Sequence, residues 1–200
     1  HLMIKRIPSE NTQDREDLKV IIDQAERCSR IVRGLLGFSR KTASEKSKVD
    51  INILLESTLS MVRNQAKFHN IAFDVRLEKG VPEVTADPNQ IQQVFLNLLI
   101  NSADAMEERG RVTIASRMVR DNSDKFIELE FTDTGPGIPE NMLGRIFEPF
   151  FTTKPAGKGT GLGLSVSYGI IKKHGGQIFV KSEPAEGASF FIRLPIEEGD

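Results

Sequence analysis

Asn97 and Asn101 stand four residues apart in the segment QQVFLNLLINSADA, so on a helix both carboxamides leave the same face, with Asp104 three positions further along a neighbouring line. Phe95, Leu96, Leu98, Leu99 and Ile100 surround them. Amides in such company are costly to bury without partners. They either bond to each other and to adjacent backbone, or they face a polar ligand. Amide oxygens, like carboxylates and phosphates, suit a hard cation such as Mg2+, which keeps part of its water shell.

Two other stretches have the composition of a ligand site. DTGPGIP, from Asp133 to Pro139, ends an alternating run with a carboxylate followed by Gly135 and Gly137. Such a group is either a capped turn or an acceptor deep in a pocket, where an exocyclic purine amine is a suitable donor and the glycines let the backbone pass close by. GKGTGLGLS, from Gly157 to Ser165, alternates four glycines within nine residues. Glycine inside an element costs about 0.5–1 kcal/mol relative to alanine, so the cluster points to positive φ or close approach of a ligand, against the plainer alternative of a flexible linker. It follows Thr152, Thr153 and Lys154 and leads into a helical pattern beginning near Gly161. Backbone N–H groups and the positive end of a helix converge there, as anions require. The spacing fits neither G-x-x-x-x-G-K-[ST] nor G-x-G-x-x-G after a strand, and the protein-kinase motif set is absent.

Local patterns supply the elements that must hold these groups. Asp50 is a plausible N-cap for a helix to about Phe68, and Ile71, Phe73, Val75 and Leu77 alternate as a half-buried strand. Asp87-Pro88 opens a helix reaching about Glu107, with proline in its first turn. Val112, Ile114, Ser116 and Met118 share one strand face, and Ile127, Leu129, Phe131 and Asp133 share another. The stretch from Gly135 to Gly159 has no sustained period, which suits a lid or binding loop. Strands at Gln177–Ser182 and Ala188–Pro195, joined by EPAEG, complete an α+β two-layer sandwich: a mixed sheet with helices on one face. Ahead of it, Leu18, Ile21, Ala25, Cys28, Val32 and Leu35 recur at three- and four-residue steps, the stripe of one long amphipathic helix whose seam suits a bundle or a dimer.

Composition narrows the function classes. Lys and Arg number 27 against 28 Asp and Glu over 200 residues, a net charge of −1, which removes any global electrostatic case for nucleic acid or an anionic membrane. Cys28 is the single cysteine, so no internal disulfide forms, and no apolar run approaches the roughly 20 residues of a membrane span. The expectation is a cytoplasmic chain that is a piece of something longer.

Together these segments resemble the catalytic ATP-binding domain of two-component sensor histidine kinases, a Bergerat-type fold shared with chaperone, type II topoisomerase and MutL ATPases. QVFLNLLINSADA is similar to the N box, DTGPGIP to the first glycine box, FEPFFTTK to the F box and GKGTGLGLS to the second glycine box. RIVRGLLGFSR resembles the second helix of the dimerisation and phosphotransfer hairpin, and HGGQIFVKSEPAEGASFFIRLP the C-terminal strands. The lid is most like the nitrogen-regulatory and oxygen-sensing branch. The resemblance implies a hairpin remnant over residues 1–45 and a catalytic domain over 46–200. It implies ATP and Mg2+ as cofactors, a response-regulator receiver domain as partner, and a homodimer through the hairpin.

Residue by residue, it implies that Asn101 coordinates Mg2+ with Asn97 and Asp104 supporting the same site. Asp133 receives the adenine amine, with Gly135, Gly137 and Ile138 shaping the adenine wall. Thr152, Thr153 and Lys154 approach the phosphates, the backbone of Gly159, Thr160, Gly161, Leu162, Gly163 and Leu164 wraps them, and the Ser189 hydroxyl lies near the adenine. Phe147, Phe150 and Phe151 either pack in the core or dock the lid on the hairpin. The acceptor-histidine box is missing: His1, His69 and His174 stand in other contexts, so the chain is expected to bind nucleotide without labelling itself. Asn97 occupies the position of the general-base glutamate of the ATPase relatives, and a carboxamide has no basic pKa, so hydrolysis is expected to be slow. The alternatives are a nucleotide-gated ATPase clamp and a non-catalytic regulator-binding module.

Overall fold

The computed structural model describes residues 14, 16–18, 20–22, 46–122, 124–155 and 159–196. The expected long amphipathic helix falls almost wholly outside them; the described positions between 14 and 22 are helical.

Chain order is β1 (Ser47–Val49), α1 (Ile51–Arg63), a 3-10 turn (Ala66–Phe68), β2 (Asn70–Leu77), β3 (Val84–Ala86) and α2 (Pro88–Ala105). Then follow β4 (Arg109–Asp121), β5 (Asp124–Asp133), a single turn α3 (Glu140–Leu143), α4 (Gly163–Lys173), β6 (Gln177–Ser182) and β7 (Ala188–Pro195). The main sheet has the order β2-β4-β5-β7-β6, with β2 and β4 parallel and the remaining pairs antiparallel. β1 and β3 form a separate antiparallel pair.

Caps fix the helices where the sequence places them. The Asp50 carboxylate accepts from the Ile53 amide at 3.0 Å, and α1 stops at Arg63 rather than Phe68, the chain continuing as the 3-10 turn. The Asp87 side chain accepts from the Asn89 and Gln90 amides at 3.0 and 3.2 Å, an arrangement that contributes about 1 kcal/mol. α1 and α2 bury Ile51, Leu55, Leu59, Val62, Ile91, Val94, Phe95, Leu98 and Leu99. From the sheet, register places Ile114 beside Phe131, and Phe131 beside Phe190, on the face turned to the helices. The Phe95 and Phe131 rings meet at 5.7 Å between centroids. The core therefore lies between the sheet and the helices on one face, as an α+β sandwich requires.

The opposite face satisfies itself. Glu128, 4% exposed, accepts from Arg117 at 2.5 Å and from Arg193 at 2.7 Å, while Phe179 and Phe191 stack at 5.0 Å under the Arg193 and Lys181 cations.

His174, 4% exposed, closes α4. Its Nδ1–H donates to the Ile170 carbonyl at 2.8 Å and its Nε2 accepts from the Asp87 amide at 3.0 Å, so the imidazole ties the end of α4 to the cap of α2 and is neutral. Burial, followed by the nearby Lys46 and Lys173 cations, pushes its pKa below the ordinary value; the Ile170 hydrogen bond and Asp87 act the other way. Below about pH 6.5 the unfolded chain takes up this proton more readily than the folded one. Stability contributed by the neutral ring is thus complete above that pH and declines as pH falls, by at most about 1.4 kcal/mol per pH unit. Thermal melts between pH 7.5 and pH 5.5 are expected to show a steeper acid loss for the unaltered chain than for His174→Gln; parallel slopes would contradict this assignment.

Candidate nucleotide site

The elements enclose a cavity of about 640 Å³ between α2, the end of β5 and the segment entering α4, within the range of small-molecule sites. One face of α2 supplies Gln93, Asn97, Ile100, Asn101, Asp104 and Ala105. Their spacing is the helical one that the two carboxamides suggest. Across from them stand Asp133, Pro136, Gly137, Ile138, Met142 and Ile146, with Ala188 and Phe190 of β7. The third wall runs from Phe151 to Pro155 and from Gly159 to Leu164, with Val166.

The two amides take different roles. Asn97 donates through Nδ2 to the Gly163 carbonyl at 3.1 Å and to Ser167 Oγ at 3.2 Å, fastening α2 to the first turn of α4. The half-buried Asn101 side chain makes no hydrogen bond among the described residues, although it lines the cavity. An unpartnered half-buried carboxamide on a cavity wall is disposed to meet a ligand. Among the described residues no three His, Cys, Asp or Glu side chains gather to hold a metal. A cation here would rely on the Asn101 amide oxygen together with ligand oxygens and water, a donor set that fits Mg2+.

Asp133 is 3% exposed. Burial pushes its carboxyl above the usual carboxylate range, partly offset by hydrogen bonds from the Gly135 amide, the Ser102 hydroxyl and the Ala188 amide. The Gly135 and Ala188 amides donate to Oδ1 at 2.9 and 3.3 Å, which fixes the carboxyl plane at the cavity wall. Gly137 has φ +75°, and a Cβ there would lie 2.1 Å from the Glu183 carbonyl oxygen, so only glycine lets this backbone pass the β6–β7 turn.

Asp104 carries two cations: Lys154 on Oδ2 and Lys67, from the 3-10 turn, on Oδ1. Burial opposes ionisation of this carboxyl, but the hydrogen bonds from Lys154 and Lys67 outweigh it and hold its pKa below the usual range. Lys154 thus lines the cavity while bound to α2.

α4 begins at Gly163, two residues later than the glycine pattern suggests, because Gly161 is left-handed at φ +65° and breaks the helix path. Leu162 precedes α4 and no side chain caps its first turn, leaving that end's N–H groups to the cavity. The Phe150 amide donates to the Gly161 carbonyl at 2.9 Å, closing the loop at its base.

All predicted site residues except Gly135 and Ser189 line the cavity. Gly135 sits beside it instead: a Cβ added there would meet Asp133 Oδ1 at 2.9 Å and the Ala105 Cβ at 3.3 Å. Ser189 does not reach the cavity: register pairs it with Thr132, and their hydroxyls meet at 2.7 Å on the other side of the sheet. Its neighbours Ala188 and Phe190 take the place expected for it, because side chains alternate along β7. The lid aromatics divide. Phe147 packs on Tyr168 and Phe151 lies under the Arg145 guanidinium, whereas Phe150 is 61% exposed at φ 68°. Gln93 extends the Asn97–Asn101 line by one turn and was legible from that spacing; Lys67 had no sequence signal.

Comparison with known proteins agrees with this geometry. Residues 86–198 match the family described as Histidine kinase-, DNA gyrase B-, and HSP90-like ATPase. The chain is 40% identical over 195 residues to Sensor kinase CckA of Brucella abortus (strain 2308), covering 91% of this chain and 20% of CckA, so it spans about a fifth of that relative. Among solved structures, the catalytic domain of histidine kinase ThkA superimposes with a TM-score of 0.63 at 32% identity, covering 76% of this chain and 95% of that one. Histidine kinase ThkA in complex with response regulator protein TrrA gives a TM-score of 0.72 at 28% identity, over 96% of this chain and 53% of that one. No helix among the described residues is long and apolar enough to cross a membrane. The chain belongs to the histidine kinase-, DNA gyrase B- and HSP90-like ATPase family, as an ATP-binding catalytic domain of the sensor histidine kinases.

Proposed function

We propose that this chain binds ATP with Mg2+ and presents its γ-phosphoryl group to a histidine on a separate helix, from which it passes to an aspartate of a response regulator. The observation that carries this is the convergence on one cavity of an unpartnered amide at Asn101, a buried acceptor at Asp133 and an uncapped helix start behind Gly161. Asn101 offers its amide oxygen to the metal, and Asn97 holds α4 in place against α2. Asp133 accepts from the adenine amine beside Gly137 and Ile138. Thr152, Thr153, Lys154 and the Gly159–Leu164 backbone surround the phosphates. Magnesium would supply charge neutralisation on the phosphate oxygens, and catalysis is otherwise positioning. The acceptor imidazole nitrogen forms the new bond to phosphorus as the bond to the ADP oxygen breaks.

In the same proposal residues 1–45 belong to the helical hairpin through which the longer protein dimerises, the partner is the receiver domain of a response regulator, a reading supported by the complex of ThkA with response regulator protein TrrA, and the reaction takes place in the cytoplasm. Asn97 speaks against efficient hydrolysis, since its amide cannot take a proton from water and is already bonded to Gly163 and Ser167.

Calorimetry with magnesium-loaded ATP is expected to show one site per chain, with ATP turnover in the absence of an acceptor near background. Adding a hairpin that contains the acceptor histidine is expected to yield an acid-labile phosphorylated product. No heat of binding would overturn the nucleotide assignment; binding with rapid hydrolysis would favour an ATPase.

A further inference from the structure

Asp104 is the meeting point of three elements. It projects from α2 one turn beyond Asn101, receives Lys154 from the loop that lines the cavity, and receives Lys67 from the 3-10 turn after α1. Each carboxylate oxygen has its own ammonium partner. The two lysine side chains are each 31% exposed and that of Asp104 is 23% exposed, so the cluster is neither fully solvated nor closed. Its net charge is one positive unit, beside a cavity whose proposed ligand is a polyanion.

A lysine locked to a carboxylate is unavailable to phosphate. If Asp104 had only Lys154, moving that ammonium to a triphosphate would strand a partly desolvated carboxylate, at a substantial cost. A second cation on the other oxygen removes most of that cost, because Asp104 keeps one partner when the first departs. Lys67 does not itself line the cavity.

We propose that Lys67 is a positioning residue for nucleotide binding: it holds the charge of Asp104 so that Lys154 can transfer from Asp104 to the phosphates. The idea rests on the nucleotide site proposed above. It makes the effect of Lys67 conditional on Asp104, which neither a direct phosphate contact nor a packing role does.

The test is a double-mutant cycle on the whole chain, with magnesium-loaded ATP and with adenosine as ligands. Lys67→Met is expected to weaken ATP binding about three- to tenfold while leaving adenosine affinity unchanged. Lys67→Arg retains the charge and is expected to restore ATP affinity. In an Asp104→Asn background, where Lys154 is no longer held by a charge, adding Lys67→Met is expected to change ATP affinity by less than about twofold. Equal losses with and without Asp104, a loss shared by adenosine, or no loss at all would each overturn the role of Lys67 while leaving the nucleotide site standing. Failure of the unaltered chain to take up ATP would overturn both. Melting curves of each variant separate these outcomes from misfolding.

Discussion

Asn101→Ala is expected to lower the affinity for magnesium-loaded ATP at least about tenfold, equivalent to about 1.4 kcal/mol, while shifting Tm by only a few degrees. The separation of the two effects follows from hydrogen bonding. Because the Asn101 carboxamide makes no bond among the described residues, its removal breaks no internal contact, and alanine is the better helix former in the middle of α2. Asn97→Ala is the informative contrast. That change deletes the bonds to Gly163 and Ser167, so it should destabilise the fold by about 1–3 kcal/mol and weaken nucleotide binding indirectly. Isothermal titration and thermal melts on both variants decide the matter. Unchanged Mg-ATP affinity in Asn101→Ala would remove it from the metal site.

The second large effect is expected at Gly161. Its φ of +65° already disfavours a side chain by about 1–2 kcal/mol. An added Cβ would also stand 2.3 Å from the Phe150 carbonyl carbon and 2.6 Å from its oxygen, and backbone cannot yield as a flexible side chain can. Gly161→Ala must therefore break the 2.9 Å Phe150–Gly161 hydrogen bond and displace the approach to α4. Nucleotide affinity is expected to fall more than about tenfold, with the sandwich core still melting cooperatively. Gly144→Ala provides the control. Its φ is −68° and no atom lies within 4 Å of the added Cβ, so affinity and stability should be nearly unaltered. Equal tolerance at both glycines would mean that the loop does not hold the ligand in this form.

The sequence carried much of this architecture because the informative signals were local. Asp50 and Asp87 fix helix starts through their own neighbours' amides, and the alternation of Val112, Ile114 and Ser116, or of Phe190, Ile192 and Leu194, is a property of one strand at a time. The α2 face was readable for the same reason. β1 and β3 were not: Ser47–Val49 and Val84–Ala86 are three residues each, too short to show alternation, and exist as strands only by pairing with each other. Ser189 was misplaced because motif similarity fixed the segment, whereas the face of β7 depends on register with Thr132. Lys67 escaped for a different reason. Its contact with Asp104 joins residues 37 positions apart in sequence and depends on how the 3-10 turn packs beside α2, which no local pattern encodes.

α2 and α4 lie antiparallel, joined near the cavity by Asn97 and at the far end by His174. Like tongs riveted at both the jaw and the handle, the pair has little freedom to splay. Of the cavity's three walls, the one running through residues 151–155 and 159–161 lies outside this clamp, so a change in the cavity's width is expected there rather than between the two helices.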